Sequence, residues 1–102
     1  MATVVIENLD QEIEIPRKGI LSRTIYKNSG FKAVVFGFAA REELSEHTAS
    51  RPAVIHVLQG EALVTLGDRK IDARAGTWIY MAPGTPHRIV AHTELAFVLY
   101  LV

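Results

Sequence analysis

The stretch AVIHVLQGEALVTLGDRKIDA, residues 53–73, narrows the folds open to this chain. Three short runs rich in β-branched and aliphatic residues are separated by Gly60 and then by Gly67-Asp68. Runs this short cannot make stable amphipathic helices. A Gly-X pair between two strand-forming runs is the signal of a two-residue hairpin. The same rhythm extends over most of the chain. Further strand-like runs lie at TVVIE (3–7), RTIYK (23–27), FKAVVFGFA (31–39), TWIYM (77–81), HRIVA (87–91) and LAFVLYLV (95–102). Asn28-Ser29-Gly30 and Ala82-Pro83-Gly84-Thr85-Pro86 punctuate them as turns. Only REELSE (41–46) hints at helix, one turn at most, and it otherwise reads as a solvated loop. Many short strands with regular turn signals predict an all-β sandwich or barrel. No linker, repeat or low-complexity tract divides the chain, so residues 1–102 read as one domain.

Composition excludes several classes of partner. Eleven basic residues balance eleven acidic ones, which argues against nucleic acid as the main partner and against binding at an anionic lipid surface. There is no cysteine, so disulfides and thiolate metal ligands are ruled out. No apolar run reaches the roughly 18 residues of a membrane span. The sequence MATVVIENLDQEIEIP lacks the basic and apolar regions of a signal peptide, so a cytoplasmic protein is expected.

The residues with chemical potential fall in two stretches. The first runs from His47 to Gly60. The second is GTWIYMAPGTPH, from Gly76 to His87, where a strand enters a Pro-Gly turn and a histidine opens the next strand. Together they resemble the two motifs of the cupin family, over about residues 30–102. Anchored on Gly60, the first motif places its first His on His47, its second on Ala49, its Glu on Ala53 and its leading Gly on Arg41. In the second, Gly76, Gly84 and His87 match, Pro83 stands one place late and the closing Asn is Ala91.

The resemblance implies a double-stranded β-helix, a jelly-roll-like barrel with the motif residues on its inner face. In the family, three His and one Glu hold a divalent metal such as iron, manganese, nickel or zinc, for which imidazole and carboxylate are suitable ligands. By matching position this chain keeps His47 and His87. His56 is the best candidate for a third ligand, although strand alternation turns it outward when Ala53 points inward, unless a bulge shifts the phase. Glu42, Glu43 and Glu46 could supply a loop carboxylate, and His92 reads as a solvated turn residue.

The function implied is a small cupin whose barrel cavity binds a small molecule, with or without a divalent metal on the reduced His set. The alternative is a metal-dependent oxygenase or isomerase acting on a small organic substrate. Ala49 and Ala53 would leave the cavity roomier and more apolar than a full ligand set does. The resemblance also implies a homodimer. The apolar residues on both faces of TVVIE and LAFVLYLV agree with a symmetric interface.

Overall fold

The computed structural model describes residues 3–102. Among them are nine strands and one 3₁₀ turn at Leu9–Glu12, which Asn8 caps by accepting the Asp10 amide on its side chain. The strands are β1 (Ile20–Lys27), β2 (Lys32–Phe38), β3 (Glu43–His47), β4 (Ala53–Gln59) and β5 (Glu61–Leu66). They continue with β6 (Arg69–Arg74), β7 (Trp78–Met81), β8 (His87–Ala91) and β9 (Leu95–Leu101). They form two antiparallel sheets, ordered β1-β2-β9-β4-β7 and β3-β8-β5-β6. This is the all-β double-stranded β-helix that the sequence predicts. No helix among the described residues is long and apolar enough to cross a membrane.

Strand alternation builds the core. In β4, Ala53, Ile55 and Val57 are buried while Val54 and His56 between them are half-buried. Ile55 lies in register with Leu99 on β9 and Ile79 on β7, so one face of the five-stranded sheet is continuously apolar. The four-stranded sheet contributes Ala62, Val64, Ala73, Ile89 and Ala91 from the other side. Phe36 and Phe97 stack at 4.9 Å between centroids, and Phe38 tilts against Phe97 at 5.5 Å. Burying each large side chain of this set contributes about 1.5–3 kcal/mol.

Tight turns hold the strands in register. Gly67 has φ of 60°, and Asp68 keeps negative φ, the pattern of a II′ turn between β5 and β6. Gly60 has φ of 90°, and a Cβ there would stand 1.9 Å from the Glu94 carbonyl oxygen, so only glycine fits between β4 and β5.

Three expectations need correction. REELSE is neither a helical turn nor a free loop, because residues 43–47 form β3, an edge strand paired with β8. TVVIE is not a strand in this chain. Val4 and Val5 are exposed, and residues 3–7 make no backbone hydrogen bond to any other described residue. The excess apolar surface of LAFVLYLV is covered within the chain. Ala96 and Val98, on the face of β9 opposite Phe97, are buried. The segment before β1 crosses this outer face beside Ala96, where a Cβ on Gly37, its register partner, would meet the Glu14 carbonyl oxygen at 2.1 Å.

Candidate functional site

Strands β3 and β8 bring His47 and His87 together as register partners. The pairing slips between Leu44 and His47, and this bulge sets His47 opposite His87. On β8, His87 shares its face with the core residues Ile89 and Ala91 and is only 5% exposed, whereas His47 lies exposed at the barrel mouth. The imidazoles meet edge to face with centroids 4.1 Å apart.

The hydrogen bonds around the pair fix its chemistry. Nδ1 of His47 lies 3.1 Å from the Ser45 carbonyl oxygen, and Nδ1 of His87 lies 3.1 Å from that of Thr85. A carbonyl only accepts, so each Nδ1 carries a proton and donates it. Both Nε2 atoms are then left as acceptors, and they face each other at 3.0 Å. Two bare acceptors repel at that distance, so the contact calls for a shared proton or another positive group between them. Burial pushes the His87 pKa below its ordinary value, the Thr85 hydrogen bond opposes this, and the charge of His47 adds a smaller downward push. His87 is therefore neutral at neutral pH.

The loops around the pair are tied by backbone. Gly84, with φ of 79°, donates its amide to the Ala49 carbonyl at 2.8 Å, and Gly67 donates to the Pro86 carbonyl at 2.9 Å. The Thr85 hydroxyl donates to the Ala82 carbonyl at 2.8 Å and closes the Pro-Gly turn. Arg41, at the place of the first motif's leading Gly, adopts φ of 71° and donates its amide to the Ala91 carbonyl. A non-glycine residue thus holds a left-handed backbone here, which stores strain. Pattern matching placed Arg41 at that position but could not show its conformation.

Inside the barrel, Ala53 is 2% exposed and lies in register with Met81 and Leu101. An apolar wall therefore stands where the motif has a carboxylate. His56 does not join the pair. It lies on the outer face of the five-stranded sheet, in register with Trp78 and Val98, because no bulge shifts β4 before Val57. The Glu42 carboxylate accepts the Gly19 amide, Glu43 pairs with Arg88 at 2.8 Å, and Glu46 is exposed. His92 lies in the exposed turn between β8 and β9, its amide bonded to the Glu61 carbonyl.

Among the described residues no three His, Cys, Asp or Glu side chains are grouped to hold a metal ion. Two imidazole nitrogens directed at one point do not make a centre of three His and one Glu, and they fall short of the three protein ligands usual in catalytic zinc sites. Two clefts, of about 470 and 200 Å³, lie elsewhere and include neither His47 nor His87. His87 is buried and His47 exposed, so solvent meets the pair on the His47 side.

Comparison with known proteins follows the same outline. The family model described as a cupin domain matches residues 34–102. A conserved protein of unknown function from Streptococcus pyogenes is 25% identical, with a TM-score of 0.87 over 100% of this chain and 90% of its own. A cupin superfamily protein from Desulfitobacterium hafniense is 24% identical, with a TM-score of 0.88 over 97% of this chain and 94% of its own. An RmlC-like cupin from Desulfovibrio desulfuricans is 24% identical, with a TM-score of 0.78 over 100% and 95% of the two chains. No curated protein matches the chain.

Proposed function

Since this chain belongs to the cupin family, we propose that it is a small-molecule-binding cupin whose contact group is the His47–His87 pair at the barrel mouth. The observation that supports this reading is the pair of acceptor nitrogens facing each other at 3.0 Å, one buried and one exposed. A hydrogen-bond donor offered to them would satisfy these acceptors. A ligand with such a donor, a hydroxyl or amine, can supply it once the His47 ring rotates outward. The Ser45 and Thr85 carbonyls keep both Nε2 atoms as acceptors and so fix the polarity of the ligand. The buried Ala53 and Met81 below leave no polar partner for a group that reaches deeper. The body of the ligand therefore rests on the mouth, against the Pro-Gly turn.

In this reading the site binds without covalent chemistry; among the described residues no third His, Cys, Asp or Glu is grouped with the pair as a metal-holding set. A divalent ion is held weakly, by two nitrogens, and is not required for binding. The test combines metal content by plasma mass spectrometry on tag-free protein with a thermal-shift screen of small hydroxylated and amino compounds, repeated on His47→Ala and His87→Ala. The expected result is metal far below one per chain and hits lost in both variants. Near one metal per chain, lost in both variants, would replace this reading with the metal-dependent enzyme. Hits that survive both substitutions would place the ligand elsewhere.

A further inference from the structure

We propose that the barrel mouth selects small organic anions, hydroxylated carboxylates, through unpaired lysine and arginine side chains that flank the His47–His87 pair. The inference rests on the reading of that pair as the contact group, and it names the class of ligand the pair takes.

It starts from the last register row of each sheet. In the five-stranded sheet Lys27 pairs with Lys32, Lys32 with Leu101, Leu101 with Ala53 and Ala53 with Met81. In the four-stranded sheet His47 pairs with His87, His87 with Leu66 and Leu66 with Arg69. Residues directly opposed in an antiparallel pair share a face. Ala53 and Met81 belong to the core, and Leu101 and Leu66 pack against it, so both rows lie on the inner faces of their sheets. Short loops join Met81 to His87 and His47 to Ala53, and the Gly84 amide bonds the Ala49 carbonyl between those loops. The two rows therefore stand at the same end of the barrel.

The chain as a whole is neutral, but these nine positions hold three cations, two imidazoles and no carboxylate. Arg51 adds a fourth cation beside Leu101, whose carbonyl accepts its guanidinium at 3.3 Å. The ion pairs among the described residues are Arg23–Glu12 and Arg88–Glu43, so none of these four cations has an acidic partner there. Glu46 and Asp68, next to the rows in sequence, are exposed and stand outside them. Lys27 and Lys32 directly oppose each other, and Lys32 is half-buried. Like charges so placed destabilise a ladder, and partial burial reduces the screening that would soften the effect. An anion at the mouth removes that cost. The position of the first motif's Glu lies in the same row as these lysines and is Ala53, so no fixed carboxylate there competes with the ligand's own.

The chemistry divides between the rows. The imidazole nitrogens accept from a hydroxyl, and the cations take a carboxylate in charge-assisted hydrogen bonds. Packed sheets stand about 10 Å apart, and a lysine ammonium on its flexible stem covers part of that gap. A molecule with its carboxylate a few bonds from a hydroxyl reaches both rows, with Leu66, Met81 and Leu101 as an apolar floor.

The test is calorimetric titration with matched probes, gluconate against sorbitol and tartrate against threitol, at low and raised salt. The carboxylates are expected to bind roughly tenfold or more tightly than their neutral counterparts, with the preference shrinking as salt rises. Lys32→Gln and Arg69→Gln should each remove most of that preference and leave sorbitol binding unchanged. Lys18→Gln, beside the far end of β1, should keep it. Lys32→Gln should unfold at the same or a higher urea concentration, because a like-charge contact has gone, and this separates lost binding from lost fold. Carboxylates that bind no better than the neutral probes, or a preference that survives both substitutions, would overturn the proposal. A preference that depends on Lys32 and is unchanged in His47→Ala and His87→Ala would instead overturn the pair as the contact group and leave the cationic rim standing.

Discussion

The two strands that carry the histidines differ in almost every physical respect. Strand β8 is paired on both sides, with β3 and β5, and buries His87, Ile89 and Ala91. Strand β3 is an edge strand paired only with β8, carries a bulge and exposes most of its side chains. One imidazole is therefore built into the core and the other is lent to it from the rim. In the proposed reading the pair has a fixed half that sets position and an adjustable half that would admit a ligand.

The frame that supports both halves gives the largest expected effect. Gly60→Ala forces a Cβ into the Glu94 carbonyl at positive φ, where backbone and not a flexible side chain must move. A loss of about 3 kcal/mol or more in urea unfolding is expected. Next comes the fixed half. His87→Ala leaves a buried gap and an unpaired Thr85 carbonyl, a loss of about 2 kcal/mol by the same measurement. His47→Ala, at an exposed edge, should stay within about 0.5 kcal/mol. Equal losses in the two variants would erase the distinction drawn between the strands.

Protonation sharpens the contrast. In the unfolded chain the His87 imidazole titrates near its ordinary value of 6.5, while in the folded chain burial delays protonation to lower pH. The unfolded state therefore binds more protons in that window, so this contribution to stability is complete above about 6.5 and declines as the pH falls below it. Unfolding at a series of pH values should show that decline, and His87→Ala should remove it. In His47→Ala the charge of His47 no longer depresses the pKa of His87, so the His87 resonance followed by NMR should titrate at higher pH than in the wild type. The smallest effect belongs to the strained corner. Arg41→Gly relieves a left-handed residue and should raise stability by about 1 kcal/mol, less the entropy glycine loses on folding.

The strands that repeat the alternation of apolar and polar residues were legible in the sequence. The bounds of β4, β5 and β8 coincide with the runs read from AVIHVLQ, EALVTL and HRIVA. Parity also placed His56 outside, because Ile55 and Val57 cannot be buried on one face unless His56 lies on the other. Strand β3 was hidden because ELSEH is an edge strand with little to bury and so carries almost no apolar pattern. TVVIE was overread for the opposite reason, since composition makes a segment able to pair but does not supply a neighbour. Motif spacing identified His47 and His87, but the opposed nitrogens depend on two backbone carbonyls and on a bulge, which no side-chain pattern encodes.

The hydrogen bond from Gly84 to Ala49 has one more consequence. Ala49 serves the turn through its carbonyl, which every amino acid possesses, and its methyl is not part of that bond. The architecture of the mouth is thus indifferent to the side chain carried at position 49. That freedom makes the position a natural place to graft a new donor onto an old scaffold.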